Sequence, residues 1–299
     1  MTARKKAELY LFLTTFIWGS TFVVGKIGMQ DLSPFAFITV RFTVGSLLFG
    51  LLFSRQLKGI PSRTWKRGVF LGVLLGIGLA VQNLGLYITS ASNAGFITGM
   101  MVIFTPLAQI VFLKKKPKAG NLIGIAVVIY GLYLLTMPDG TGGVNMGDWL
   151  VLLSSILFGI YIVFLDVYTK EEDIVKMSFV QIMSVAAVSV FFLPFETVRL
   201  SITPATAVIV LYLAFFATVV TTYVQNRYQK DTTPTSAVII FSIEPVIGAI
   251  LAYVILNEMI GWTGVAGGAL IVGGILVSEF AEDLARKIHF MVSPIGGEE

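Results

Sequence analysis

Glu244-Pro245 stands about nine residues, or ~14 Å at the helical rise, inside an apolar stretch drawn at 235–256. Burial without a counter-charge disfavours the ionised carboxylate, so such a group could take up and release a proton. It could equally be a protonated or hydrogen-bonded glutamic acid that locks a kink. Pro245 lacks a backbone N–H and bends or breaks a helix at this depth. Pro106, preceded by Thr105 in the stretch 94–113, looks like a matching hinge without the acid. Arg41 lies about six residues into the stretch 35–54, roughly 9 Å deep. Its planar guanidinium could grip a ligand carboxylate through paired hydrogen bonds. It could instead tie down backbone carbonyls or a helix end, act in gating, or reach outward to water.

Uncharged polar and aromatic groups complete the set. Trp18 falls about eleven residues into the stretch 7–27, roughly 16 Å deep. An indole N–H at that depth needs a partner, which a polar cavity supplies, unless the ring merely packs between helices. Tyr161, one turn beyond Phe158, is the second aromatic expected to line such a cavity, with Phe158 packing. Gln82, Asn83, Gln225 and Asn226 are amides inside apolar stretches. They could bond the ends of a zwitterion without a fixed charge, or join helices. Asn83 is the preferred ligand among them, with Tyr87 one turn above it, while Asn226 lies too near one mouth to touch a central ligand.

The elements that must position these groups are long and apolar. Hydrophobic residues make up 56% of the chain and charged residues 13%, more apolar surface than a soluble domain can hide. Ten stretches can be drawn, at 7–27, 35–54, 67–89, 94–113, 120–137, 147–168, 175–194, 204–226, 235–256 and 263–280, each near the ~20 residues that cross hydrocarbon. With both ends placed in the cytoplasm, all but three of the 21 Lys and Arg fall in segments on that side. The exceptions are Arg199 outside, and Lys26 and Arg41 within the membrane. This asymmetry supports the count, the orientation and a cytoplasmic (inner) membrane location, and it explains the net charge of +4 without a nucleic-acid partner. Lys26 is close enough to the outer surface to snorkel. Arg4, Lys5 and Lys6 ahead of an apolar run suggest a signal peptide, but the run is long and lacks a small-residue cleavage site, so it is expected to stay as a helix. The tail after Phe280 is expected to be solvated, with Ser293–Glu299 poorly ordered and no soluble domain at either end.

The turn-rich gap from Pro138 to Gly147 divides the stretches five and five. An odd number per half makes the second half enter from the opposite face, an inverted repeat if the halves are related. Trp18-Gly19 matches Phe158-Gly159, Gln82-Asn83 recurs as Gln225-Asn226, and Thr105-Pro106 as Glu244-Pro245, all at nearly one separation. The expected units are therefore a first repeat at 1–138, a linker at 139–146, a second repeat at 147–281 and a tail at 282–299. Glycines at helical spacing, Gly68/Gly72/Gly76, Gly95/Gly99, Gly120/Gly124 and Gly264/Gly268, suit close helix packing inside the bundle; pairing of two chains through the last stretch is the alternative, giving a monomer or weak homodimer.

Trp18-Gly19-Ser20-Thr21-Phe22, Pro34, Arg41-Phe42, Glu244-Pro245-Val246, Leu256-Asn257-Glu258 and the glycine-rich run Gly261 to Gly274 together resemble the EamA-type drug/metabolite transporter family. The resemblance implies an all-α membrane protein of ten helices, two inverted five-helix repeats around a central cavity, moving small metabolites, often by export of amino acids or similar compounds. One departure is Lys114-Lys115-Lys116-Pro117, where the first repeat of such proteins often has an acid; Glu258 keeps it in the second.

Zero Cys and one His exclude thiolate and paired-histidine metal sites, and no phosphate-binding glycine loop or hydrolase motif is present, so no cofactor is expected. The expected function is secondary transport of a small amphipathic metabolite by alternating access, with a membrane-embedded enzyme acting on a lipid through Glu244 and Arg41 as the alternative. The expected ligand set is Trp18, Asn83, Tyr87, Tyr161, Arg41 and Gln82, with Glu244, Pro245 and Pro106 as coupling or hinge residues. Because the chain is free of cysteine, single cysteines at Ser201 and Asp139 should react with an impermeant thiol reagent outside intact cells and one at Lys116 should not. Labelling of Lys116→Cys from outside would overturn the orientation.

Overall fold

A computed structural model describes residues 2–136, 145–259 and 261–292, which are helical almost throughout. Among the described residues the helical rods are α1 (Ala3–Gly28), α2 (Pro34–Phe53), α3 (Ser62–Ile88), α4 (Ala91–Leu113), α5 (Ala119–Thr136), α6 (Met146–Thr169), α7 (Ile174–Phe192), α8 (Pro204–Asp231), α9 (Pro234–Leu256) and α10 (Trp262–Val292). Eight are long and apolar enough to cross a membrane; α5 and α10 have shorter apolar parts, Gly120–Leu134 and Trp262–Ser278. The only extended pairing among the described residues is the single bridge between Leu32 and Leu200. The linker residues 137–144, Asp139 with them, and Ser293–Glu299 lie outside the described residues. The tail expected from 282 is in fact continuous with α10 as far as Val292.

Local chemistry explains where the helices start and stop. Ser33-Pro34, Thr203-Pro204 and Thr233-Pro234 open α2, α8 and α9, each proline standing where a free N–H would otherwise be stranded. Asn145 and Asp148 form a reciprocal capping box on α6. Helices α4 and α9 share an unusual form. Each is two pieces, Ala91–Gly99 with Met101–Leu113 and Pro234–Phe241 with Glu244–Leu256, and each ends on a left-handed non-glycine residue, Lys114 or Asn257. Pro245 accounts for the break in α9: its ring clashes with the carbonyl four residues back, at Phe241, where the first piece stops. Pro106 does not account for the break in α4. That break is at Met100, and the helix runs on through Pro106, so the pairing of Thr105-Pro106 with Glu244-Pro245 fails; by place in the helix, Met101 corresponds to Glu244.

The glycine ridges are used inside the chain. A Cβ on Gly68, Gly72 or Gly76 would strike α7 at Val180, at Ser184 and the Gln181 carbonyl, or at Val188. Gly124 and Gly131 of α5 press on Gly274, Ser278 and the Gly267 carbonyl of α10. Helix α1 crosses the second piece of α9 at Gly19 against Ile247, and α6 crosses the second piece of α4 at Gly159 against Phe104. Small residues are what allow backbones this close in lipid, where apolar association alone has no driving force. Gly72→Leu, with its Cβ 2.5 Å from that of Ser184, should therefore lower the thermal unfolding temperature in detergent, at a cost of about 1–3 kcal/mol. Gly273→Ala, with nothing within 4 Å, should leave it level or raise it.

Candidate functional site

A cavity with about 890 Å³ of atom-free space, its mouth included, lies between α1, α2, α3, α4, α6, α8 and α9. Trp18 lines it, set edge-on to Phe241 with ring centroids 5.1 Å apart. Phe158 also lines it and fills the gap left by Gly78, where a Cβ would sit 2.6 Å from its ring. Glu244 lines it as the first residue after the break in α9 and is buried; no described residue donates a hydrogen bond to its carboxylate or forms an ion pair with it. An acid in that position is expensive as an anion and open to whatever enters the cavity.

Arg41 is buried on the cavity wall. Its Nη2 donates to the Ala217 carbonyl at 2.7 Å and its Nε to Thr218 Oγ1 at 2.9 Å. Both acceptors belong to Phe215–Val220, a π-helical turn in α8. Such a turn shifts the hydrogen-bond ladder and leaves carbonyls for side chains to meet. Gln82 donates to Thr98 Oγ1 at 2.9 Å, joining α3 to α4. Asn83, also on the wall, donates its Nδ2 to its own helix at the Leu79 carbonyl, and no described residue donates to its Oδ1.

One end of the cavity is sealed by a buried chain of amides that sequence reading largely missed. Gln181 of α7 donates to Tyr161 Oη at 2.5 Å and accepts from Asn226 at 3.1 Å. Asn226 also donates to Ser178, Tyr161 reaches Gln225 at 3.4 Å, Gln225 donates to Gln229, and Gln229 donates to the Ile162 carbonyl. Tyr161 and Gln225 thus serve both cavity and seal, whereas Asn226 and Gln229 are wholly in the seal. Gln181 was legible only as one more amide in an apolar stretch, and Thr98, Thr218 and Thr222 carried no signal at all.

Four other residues singled out in the sequence are not on the cavity wall. Tyr87 is half exposed on the outside of the bundle and away from the cavity: it is turned about 40° from Asn83 at the very end of α3, past its neighbours. Pro106 and Pro245 are buried but are not on the cavity wall. The Lys26 ammonium donates to the Thr89 and Leu86 carbonyls, at the C-terminus of α3. Glu258 also acquires a place. Its carboxylate accepts from the Ala91 and Ser92 N–H groups at 3.1 Å and from Ser92 Oγ at 2.5 Å, capping α4 from the end of α9.

The lining residues fall in pairs along the chain. Trp18 and Phe158, Thr21 and Tyr161, and Phe22 and Ile162 are each 140 residues apart. Leu79 and Thr222, Gln82 and Gln225, Thr98 and Phe241, and Met101 and Glu244 are each 143 apart. A sequence model described as the EamA-like transporter family matches twice, over residues 5–137 and 145–280. This chain belongs to the EamA-like transporter family. An uncharacterized transporter of Archaeoglobus fulgidus is 32% identical over 274 residues, spanning 92% of this chain and 86% of that protein. The uncharacterized transporter YoaV of Bacillus subtilis is 25% identical over 287 residues, 92% and 97% of the two chains. A crystal structure with 19% identity superposes with a TM-score of 0.75 over 95% of this chain and 99% of that one, a likeness of fold. The protein is a multi-pass membrane protein of a transporter family.

If these two cavity-lining aromatics contact what this transporter carries, Trp18→Ala and Tyr161→Ala should each weaken ligand binding about tenfold or more while the protein still inserts. Wild-type affinity in both, measured by calorimetry or scintillation proximity, would reduce the rings to packing.

Proposed function

We propose that this transporter moves a small amphipathic metabolite, of the amino-acid class, across the cytoplasmic membrane by alternating access, most often outward. Both termini face the cytoplasm, and ten crossings form two inverted repeats, 1–138 and 147–281, joined by the linker 139–146, with 282–299 as the cytoplasmic tail. The observation that carries the reading is the paired lining: residues at matching places in the two halves meet around one space near the midplane. A cavity on such a quasi-two-fold axis keeps its site fixed while either half rocks to open one face or the other. The order of the halves and the matched breaks in α4 and α9 support the same arrangement.

The wall chemistry favours a zwitterion with an apolar body. Arg41 and Glu244 are the charged residues lining the space, one of each sign, among aromatic rings, amides and threonine hydroxyls. A carboxylate end suits the guanidinium side, an ammonium end the Glu244 side, and rings of Trp18, Phe158 and Phe241 suit an apolar side chain. A polyphosphate would need more than one deep cation. Trp18, Tyr161, Gln82, Asn83 and Arg41 are the proposed substrate contacts, with Glu244 carrying a coupled proton and Pro245 fixing the hinge at which α9 bends.

Glu244→Gln keeps the size and most hydrogen bonds but cannot change charge. In proteoliposomes it should retain substrate exchange and lose uptake driven by a pH gradient, by about tenfold or more. Full gradient-driven uptake would make the residue structural. Pro245→Ala, which restores a backbone donor, should slow turnover more than it changes affinity; unchanged turnover would remove the hinge.

A further inference from the structure

The two ends of the cavity are built from matching residues but are not in matching states. Gln181 is the eighth residue of α7, and the eighth residue of α2 is Arg41. At the cytoplasmic end Gln181 ties α6, through Tyr161, to α8, through Asn226. The residues at the matching places outside are Thr21 on α1 and Asn83 on α3. Both line the cavity, and so does Leu86, the counterpart of the sealed Gln229. No hydrogen bond joins Arg41 to Thr21 or Asn83; the guanidinium is instead parked on Ala217 and Thr218 of α8. The inner end is latched and the outer end is not.

We propose that Arg41 is the outer latch: when the transporter opens inward, its guanidinium leaves Ala217 and Thr218 and closes the outer mouth on Thr21 and Asn83, as Gln181 closes the inner mouth here. This rests on the alternating-access reading, because in inverted repeats one half adopts in the second state the arrangement the other half shows in the first. The atoms suit the exchange. Gln181 uses both a donor and an acceptor, but a guanidinium only donates, so its new partners must accept. Asn83 has spent its Nδ2 on Leu79 and offers Oδ1, and Thr21, whose hydroxyl donates to the Trp18 carbonyl, still has lone pairs to receive. The parking site is also easily vacated. Thr218 can turn its hydroxyl to its own helix, and the π-helical turn at Phe215–Val220 can relax its ladder once Ala217 is released. The deep cation is thereby never without hydrogen bonds in either state, which hydrocarbon requires of it.

The absence of native cysteine allows Leu86→Cys to report outward opening through its rate of reaction with an impermeant maleimide applied outside. Thr218→Val removes the parking bond and should slow labelling about tenfold, the weight of one charge-assisted hydrogen bond in the opening equilibrium. Arg41→Ala should keep labelling at or above the reporter's own rate, and Arg41→Ala with Thr218→Val should abolish the slowing. Arg41→Gln, a milder change that builds the inner kind of latch outside, should restore part of it. If Arg41 is only a tether for α8, Thr218→Val and Arg41→Ala will change labelling in the same direction, and the latch is wrong. Gln181→Ala separates the two layers of the argument: it should slow labelling by unlocking the inner mouth. Slowing by Gln181→Ala with no opposition between the other two variants would overturn the latch and leave alternating access standing. A rate that none of the variants moves would overturn both.

Discussion

Hydrocarbon offers a chain no hydrogen bonds, so every N–H and C=O within the membrane must find its partner in the protein. Helices meet that demand along their length and fail it at their ends and breaks. The polar chemistry of this transporter is concentrated at those failures. Glu258 covers the opening N–H groups of α4, Glu196 accepts from the Phe35 and Ala36 N–H groups at the start of α2, and Lys26 takes the closing carbonyls of α3. Arg41 takes a carbonyl beside the π-helical turn of α8. Each of these groups comes from a different part of the chain than the helix it covers, so satisfying the backbone also bolts the bundle together.

The same demand explains why the breaks in α4 and α9 stand beside the cavity. An interrupted ladder is tolerable only where protein or a water-filled space can serve the freed groups. Placing Glu244 directly after the break in α9 puts an acid against the cavity, while the matching place in α4 holds Met101. Likewise Arg41 faces Gln181 across the repeat. The two halves share a scaffold, and what differs between them is charge.

That difference bears on how the cavity distinguishes its two ends. A neutral amide seal at one end, made of Gln181, Asn226, Gln225 and Gln229, has its amide atoms hydrogen-bonded within the protein apart from the Asn226 Oδ1, which is buried without a partner. Membrane amide bonds are individually weak, averaging ~0.6 kcal/mol, so such a seal rests on several small contributions rather than one strong one. The bonds around Glu196 and Glu258 are charge-assisted and link loops to helix starts, a firmer frame than the amides provide.

Apart from the end of α10, which runs on to Val292, the helix ends were legible in the chain to within about five residues, because transfer into lipid is a sum over neighbouring residues and capping is decided by the residue in place. Ser33-Pro34, Thr203-Pro204 and Thr233-Pro234 each open a helix, whereas Thr105-Pro106 stands inside one. The depth of Trp18, Arg41 and Glu244 followed from counting along a straight helix, and all three do line the cavity. What sequence could not decide was rotation and company. Which face of α3 meets the cavity depends on how the helix is turned, and that is set by Gly68, Gly72 and Gly76 seating against α7, more than a hundred residues away. The break in α4 at Met100 rather than at Pro106 also depends on neighbours, and Gln181 became a seal only when α6, α7 and α8 met around it. Local composition fixes where a segment lies in the membrane; packing between distant segments fixes which way its side chains face, and that is a property only the tertiary structure holds.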